Sequence, residues 1–447
     1  MSKKEEIMIQ SSEKIQALCK RRGFVYPSSA LYGGLNGCWD YGPMGVELVR
    51  NIRESWWRAM TGREDVDGLE ASILMNPQVW RASGHVDHFT DPLVDCRSCK
   101  GRFRADADDF DPPRCPACGA TDSLTEPRPF NLMFQTQLGA VEDEGDTVYL
   151  RPETAQSAYV NFAQMQMAMR PRLPWGLAQI GRVFRNEIKA RNFLFRAREF
   201  EQMELQYFVY PGTEDEQYEH WRQRRWDWLR QLGLPADRLR WHEHGPDERA
   251  HYARAAVDIQ FHFPFGWGEL EGIHNRGDFD LAQHECHSGK ALRYFDAGSD
   301  QQVRPSVIET SVGSGRLLQA CLSCAYREED VKGRQRVVMG FNPRIAPVKI
   351  GVFPLLKGDG MAAMAKDLSQ RLRDRFSLIY DEQGAIGRRY RRMDEIGTPY
   401  CITVDAQSLQ DETVTLRHRD TMAQERVMVA AVAGEVAGRI EGWVEEQ

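Results

Sequence analysis

The sequence predicts an α+β fold: an antiparallel sheet flanked by helices, with a cysteine-rich insertion inside it and a small α/β domain at its carboxy-terminal end. Three observations carry this. Residues 178–209, AQIGRVFRNEIKARNFLFRAREFEQMELQYFV, hold two runs in which apolar and polar residues alternate. Four cysteines stand as two close pairs within residues 96–118. From about residue 343 onward, short apolar strands alternate with stretches of helical spacing.

In the first of these stretches, period two places Arg185 and Glu187 on one face of the leading strand. On the second strand Phe200, Gln202 and Glu204 share a face, with Met203, Leu205, Tyr207 and Val209 opposite. The connector IKARNFLFRA is too long and too basic for a tight turn, so it is expected to reach over a ligand. An arginine, a stackable aromatic and two carboxylates on one sheet face suit a nucleoside triphosphate, its metal and a small cationic group. A meander with solvated charges on its outer face would show the same alternation.

A chain of 447 residues can bury a large core and is expected to form two or three domains. Net charge is −7, which excludes a bulk polyanion binder and leaves nucleic-acid contact to local basic patches. No apolar run approaches a membrane span, and MSKKEEIMIQSSEK lacks the apolar stretch of a signal peptide. A cytoplasmic chain with no membrane partner is therefore expected. Ten cysteines in that setting argue for metal ligation and free thiols rather than a disulfide framework.

Along the chain, residues 6–20 have helical spacing, and the glycine- and aromatic-rich RRGFVYPSSALYGGLNGCWDYGPMG that follows predicts closely packed turns. A helix is expected from about Val46 to Met60, and a strand over residues 69–79 ending at Pro77, which an ordinary sheet edge would tolerate. Cys96-x2-Cys99-x15-Cys115-x2-Cys118 has the spacing of a zinc ribbon: four thiolates close a tetrahedral ion and leave no open position for catalysis. Cys321 and Cys324 lie in an apolar helical run and read as core thiols, and His284, Cys286 and His287 lack a second pair of ligands. Glu153 sits at a strand-to-helix passage, where a carboxylate also suits a helix start. Residues 213–232 form a helix with Tyr218, Trp221, Trp228 and Leu232 at core spacing. Glu269 and Glu271 in GELEGI are read on one strand face, a pair able to bind magnesium on nucleotide phosphates, with Arg276 nearby. In PSVIETSVGSGRLLQACLSCAY a strand carrying Val307, Glu309 and Ser311 on one face meets a glycine turn and a helix opened by Arg316. After Pro343 the order is strand, helix, strand, helix, strand, strand, helix, with Arg388, Arg389, Arg391 and Arg392 able either to meet phosphates or to form a solvated face.

The order FRNE, basic loop, Arg196-x3-Phe200-x3-Glu204 resembles the second signature motif of the class II aminoacyl-tRNA synthetases, and its wording resembles the glycyl-tRNA synthetases of the homodimeric type, which implies a homodimer. FVYPSS, YGGLNG and DYGPMGVEL, RPETAQ and GWGELEGI match that family in order, and ETSVGSGR resembles the third class II motif. There the family has Glu-Pro-Ser and an aspartate before the arginine, whereas this chain has Glu-Thr-Ser and Gly-Ser-Gly-Arg. IAPVKIGVFPL, IGRRYRRMDEIGTPYC and TVTLRHRD resemble the anticodon-binding domain shared by glycyl, histidyl, prolyl and threonyl enzymes.

The resemblance implies a class II catalytic domain over residues 1–342, holding a zinc-ribbon insertion at 91–128 and a helical insertion at 210–255, and an anticodon-binding domain over 343–447. It implies ATP-dependent attachment of glycine to tRNA(Gly) through a glycyl adenylate, with magnesium and a structural zinc on Cys96, Cys99, Cys115 and Cys118. Arg185, Glu187 and Arg316 would be catalytic. ATP would lie against Arg185, Asn186, Glu187, Phe195, Arg196, Arg198, Phe200, Glu269, Leu270, Gly313, Ser314, Gly315 and Arg316. Glycine would meet Arg104, Glu153, Phe200, Gln202, Glu204, Glu309 and Ser311. The alternative is a non-catalytic paralogue that keeps the fold as a nucleic-acid-binding or processivity subunit. Retention of Arg185, Glu187, Glu204, Glu309 and Arg316 together argues against it.

Overall fold

Seven strands form the main sheet: β1 (Val66–Gly68), β2 (Trp175–Phe184), β3 (Glu199–Val209), β4 (Leu239–Glu243), β5 (Ala255–Phe263), β6 (Gly266–Gly277) and β7 (Ser306–Gly313). They come from a computed structural model that describes residues 3–443 apart from 107–109, 140–146, 247, 251, 297, 299 and 359. Their order is β4-β5-β6-β7-β3-β2-β1, antiparallel throughout except for the short β1, which runs parallel to β2. The alternation read in the sequence decides the faces. Met203, Leu205, Tyr207 and Val209 enter the main core beneath the sheet. Phe200, Gln202 and Glu204 face the other way, into a cavity.

Helices cover the sheet. In chain order they are α1 (Lys3–Arg22), α2 (Pro43–Thr61), α3 (Ala155–Met169), α4 (Glu214–Leu232), α5 (Phe279–Ser288) and α6 (Ser314–Ala325). Helix α2 shows why they form: Pro43 sits in its first turn, where its missing N–H costs nothing, and Leu48, Val49, Ile52, Trp56 and Met60 recur on one buried stripe. That stripe, with Leu317 and Leu318 of α6 and Trp221 and Leu229 of α4, packs on the Met203–Leu205 face. Helices α3 and α5 pack on the opposite face, where Tyr159, Phe162 and Leu281 meet Trp175, Leu177, Phe208 and Val307. The cavity opens beside this second layer.

The carboxy-terminal part adds a five-stranded sheet of β8 (Ile350–Pro354), β9 (Leu378–Tyr380), β10 (Tyr400–Val404), β11 (Thr413–His418) and β12 (Gln424–Met428), in the order β9-β8-β10-β11-β12. Helices α7 (Met361–Arg373), α8 (Ile386–Ile396) and α9 (Val432–Glu441) flank it, and it has a hydrophobic core of its own. Strand β12 was not expected. It is an exposed edge whose sequence, QERVM, carries little apolar alternation.

Four other readings are corrected. Residues 69–79 are not a strand: after β1 the Leu69 N–H donates to the Ala178 carbonyl at 2.9 Å, Arg151 Nη1 donates to the Ala71 carbonyl at 3.0 Å, Leu74 forms an isolated bridge to Leu150, and Pro77 opens a short helix, Pro77–Ala82. Asn76 caps that helix, its side chain accepting from the Gln78 N–H at 2.9 Å, and a proline at the first helical position is favoured there. Arg185 and Glu187 lie past the end of β2, although the Arg185 N–H still donates to the Arg198 carbonyl at 2.9 Å. Residues 210–255 hold α4 but also β4, an edge strand of the main sheet, so this stretch is not purely helical.

The fourth correction concerns Glu269 and Glu271. The β5–β6 pairing slips by one residue between Ile259 and Gln260, leaving Leu270 as the extra residue of a bulge. Alternation is reset there. Leu270 and Glu271 turn inward, Glu271 pairing with Arg225 of α4 in the interior, while Glu269, Gly272 and His274 line the cavity. Glu271 therefore cannot share a magnesium ion with Glu269.

Candidate active site

A single ladder assembles the cavity floor. Glu204 of β3 stands opposite Ser311 of β7, Gln202 opposite Gly313, and Gln206 opposite Glu309, while Gly272 and His274 of β6 pair with Ser311 and Glu309. Side chains from three adjacent strands thus point the same way into a cavity of about 220 Å³. The connector between β2 and β3 closes over it with Leu194, Phe195, Arg196 and Ala197, as its length predicted. The glycine-rich amino-terminal segment braces that connector. Gly37, at φ +78°, accepts from the Arg198 N–H through its carbonyl at 2.7 Å, and a side-chain carbon there would stand 2.5 Å from Ala190 Cβ.

One end of the cavity is cationic. The Arg185 guanidinium lies 5.3 Å from the ring centroids of both Phe89 and Phe200, and its Nε donates to the Pro152 carbonyl at 3.1 Å. Arg316 stacks on Phe195 at 4.4 Å, and its Nη1 stands 2.9 Å from Glu269 Oε2. That partner is the main reason the Glu269 carboxyl is held below the usual carboxylate range. Glu187 lines this end too, 3.8 Å from Arg196. Among the described residues no side chain caps the start of α6, and Gly313, Gly315 and Arg316 at that helix start line the same space.

The other end is acidic. Glu204 accepts from the Thr154 hydroxyl and, at 2.7 Å, from the Ser311 hydroxyl. Burial, and then the neighbouring Glu309 and Glu153, push its carboxyl up to about 7. Glu309 is held by His274 Nδ1, Arg276 Nη1 and Gln206 Nε2, each at 2.8 Å. Burial would raise its pKa, but Arg276 and His274 outweigh that and lower it. Glu153 accepts from Gln156 Nε2 at 2.9 Å and lies 3.4 Å from His85 Nε2. Burial opposes its ionisation too, yet His85 and Arg276 hold it well below the usual range. Two carboxylates are therefore ionised at neutral pH and the third is poised to titrate. Among the described residues Gln202 Oε1, at the same end, is a buried acceptor without a hydrogen-bond partner.

Of the residues expected to meet ATP or glycine, Glu153, Arg185, Glu187, Phe195, Arg196, Phe200, Gln202, Glu204, Glu269, Glu309, Ser311, Gly313, Gly315 and Arg316 line this cavity. Five do not. Arg104 sits on the ribbon, its guanidinium forked onto Asp106 at 2.9 and 2.7 Å. The Asn186 N–H donates to the Leu132 carbonyl at 2.7 Å, and Arg198 binds the carbonyls of Glu187 and Asn36, so both residues shape the connector. Leu270 is core, turned inward by the bulge, and Ser314 is buried in the first turn of α6. Tyr252, Gly272 and His274 line the cavity without having been singled out. Continued period-two counting past GELEGI would have found His274 once the bulge was known; nothing local marks Tyr252.

Away from the cavity, the Sγ atoms of Cys96, Cys99, Cys115 and Cys118 all lie within 4.8 Å of one another, with Cys96–Cys118 at 3.8 Å and Cys99–Cys115 at 3.7 Å. A tetrahedral zinc with bonds of about 2.3 Å requires sulfur–sulfur edges of about 3.8 Å, so the donor set fits.

Comparison with known proteins agrees with the geometry. Residues 134–336 match the tRNA synthetase class II core domain (G, H, P, S and T), and residues 345–439 match an anticodon binding domain. The chain is 50% identical over 427 residues to a glycine–tRNA ligase of Treponema denticola, covering 93% of this chain and 94% of the relative. It is 47% identical over 453 residues to that of Streptomyces coelicolor (96% and 98% covered) and 46% over 465 residues to that of Thermobifida fusca (99% and 100%). The chain belongs to the glycine–tRNA ligase family.

Within this glycine–tRNA ligase fold, the arginine run of α8 divides. Arg389 is buried, donating to the carbonyls of Gly384 and Pro354, and Arg392 is paired with Asp381 at 2.9 Å. The reading of all four arginines as phosphate contacts is corrected for Arg389, whose charge the domain interior uses. Arg388 and Arg391 line an open groove with Arg22, Arg334, Arg392 and Arg417.

Proposed function

We propose that this chain attaches glycine to tRNA(Gly) in two steps. The observation that carries the reading is one cavity with guanidinium groups, Arg185 and Arg316, at one end and three carboxylates, Glu153, Glu204 and Glu309, at the other. In the first step the glycine carboxylate attacks the α-phosphorus of ATP, giving glycyl adenylate and pyrophosphate. In the second a terminal ribose hydroxyl of the tRNA attacks the adenylate carbonyl, the ester forms and AMP leaves.

The attacking carboxylate is already ionised, so activation requires no general base. What remains for the chain is positioning and neutralisation of charge. In this reading Arg185 holds the α-phosphate and the glycine carboxylate, Phe200 offers its ring to adenine, and Arg316 and the start of α6 receive the outer phosphates. Glu187 orients Arg196 beside them. The ammonium is received by Glu204, Glu309, Glu153, Ser311 and the unpartnered Gln202 Oε1. Magnesium bound with ATP supplies further charge neutralisation at the phosphate oxygens, and Glu269 is the wall carboxylate suited to hold it.

The same reading makes Cys96, Cys99, Cys115 and Cys118 a structural zinc site, since a closed set of four thiolates leaves no position for substrate. It makes 1–342 the catalytic part and 343–447 the anticodon-binding part, a division supported by a second hydrophobic cluster within the latter, while Phe353, Met393, Ile396 and Cys401 join the main core. A homodimer in the cytoplasm is part of the reading; no helix of the described residues is long and apolar enough to cross a membrane. No observation favours the non-catalytic paralogue. ATP–pyrophosphate exchange across the twenty amino acids, followed by charging of purified tRNA, tests the proposal. Exchange with glycine alone is expected, whereas tRNA binding without exchange for any amino acid would point to the paralogue.

A further inference from the structure

Glycine offers no side chain to grip, so selection must come from whatever refuses a substituent on Cα. The groups of the sheet floor at the acidic end, carboxylates, an amide and a hydroxyl, are polar acceptors suited to the ammonium. One lining residue there differs in kind. Tyr252 comes from the crossing between β4 and β5, outside both the sheet and the connector, and brings an aromatic ring to the cavity wall.

That ring has a backing that cannot retreat. The Arg276 guanidinium carbon lies 3.8 Å from the Tyr252 centroid and 5.5 Å from that of Tyr159. Its Nε and Nη2 donate to Asp280 at 2.8 and 3.0 Å, and its Nη1 donates to Glu309 at 2.8 Å. Only 1% of Arg276 is exposed. A flat, desolvated cation pinned by three hydrogen bonds holds the tyrosine in place by ring stacking.

We propose that Tyr252 sets the size limit of the amino-acid site, its ring filling the space that the β-carbon of any larger amino acid would enter. The inference rests on the glycine reading given above. With the carboxylate toward Arg185 and the ammonium on the sheet face among Glu204, Ser311 and Glu309, the Cα stands off the sheet. A substituent on it then points toward the crossing segment, where Tyr252 is. A rigid wall is needed because a yielding pocket discriminates one methyl group only weakly.

The test is ATP–pyrophosphate exchange with glycine, alanine and serine by the full-length protein and by Tyr252→Phe and Tyr252→Ala. Tyr252→Phe is expected to keep the wild-type ratio of kcat/KM for glycine over alanine. Tyr252→Ala is expected to lower that ratio at least about tenfold, the lower end of what one methyl group is worth, with alanine's KM falling. If Tyr252→Ala weakens glycine and alanine alike, leaving the ratio unchanged, the ring only supports Arg276 and the proposal is overturned while glycine activation stands. If the wild type exchanges no glycine, both readings fail together. Should Tyr252→Ala not be recovered folded, Tyr252→Val loses the ring equally and carries the same comparison.

Discussion

Ser311 Oγ donates to Glu204 Oε1 at 2.7 Å, across a rung that pairs these two residues on neighbouring strands. The bond fixes Glu204 in the floor of the cavity. It does not offset the burial and the two neighbouring carboxylates that keep the group protonated up to about pH 7. An acid raised from about 4.3 in the unfolded chain binds its proton more tightly when folded, so its effect on stability is unfavourable and develops as pH rises from about 4.3 toward 7. Substrate binding has the opposite sign, since an ammonium prefers the ionised carboxylate. The glycine KM should fall several-fold between about pH 6 and pH 8. In Glu204→Gln it should be higher and flat across that range; a surviving slope would assign the titration to another group.

Arg316 lines the cationic end of the cavity, held by Phe195 beneath and Glu269 beside it. Replacing it with lysine removes the planar fork and the ring stacking while keeping the charge. Arg316→Lys should lower kcat/KM for ATP about 100-fold. Its melting temperature should stay within a few degrees of wild type, because the side chain is not part of the core. Pyrophosphate exchange at varied ATP, beside a thermal melt, checks both halves.

The four-cysteine cluster should carry one zinc per chain, measurable by atomic emission on purified protein. Cys115→Ser should lose that metal and make residues 91–128 the first segment cut by trypsin, because so short and polar a stretch gains its folding energy from the metal. The main sheet, with a separate core, should keep its circular dichroism. Full zinc content in the variant would remove Cys115 from the ligand set.

Glu271 and Arg225 form an ion pair buried between β6 and α4. Glu271→Ala strands the guanidinium and should cost about 3–5 kcal/mol, read from urea unfolding. The double replacement Arg225→Met with Glu271→Leu should recover most of that loss, since the pair's desolvation penalty disappears with its attraction.

How much of this was legible follows from how far each signal reaches along the chain. The faces of β3 follow from alternation over a dozen neighbouring residues, and the ribbon from cysteine pairs whose spacing is itself the geometry of the site. The helix start at Asn76–Pro77 is also written locally, as a capping residue followed by a proline, although the apolar run before it carries a competing strand pattern. The inward turn of Glu271 was not local. GELEGI alternates the same way with or without a bulge, and only pairing with β5 shows that one residue is extra. Buried arginines mislead for a similar reason: Arg389 looks like its neighbours in IGRRYRRM until the carbonyls of Gly384 and Pro354 arrive to meet it.

By itself, then, the sequence determined the paired strands, the connector that reaches over a ligand, the metal-sized cysteine set and the family likeness, because each depends on residues close together in the chain. Tertiary structure alone decided that Glu153, Glu204 and Glu309 meet, that Arg276 holds Glu309 ionised and backs Tyr252, and that Glu269 faces the cavity without Glu271. Those facts depend on strand register, a bulge and a crossing segment, which bring together residues as much as 156 positions apart, Glu153 and Glu309. Burial and neighbouring charge, which set the protonation of these groups, exist only once that packing is complete.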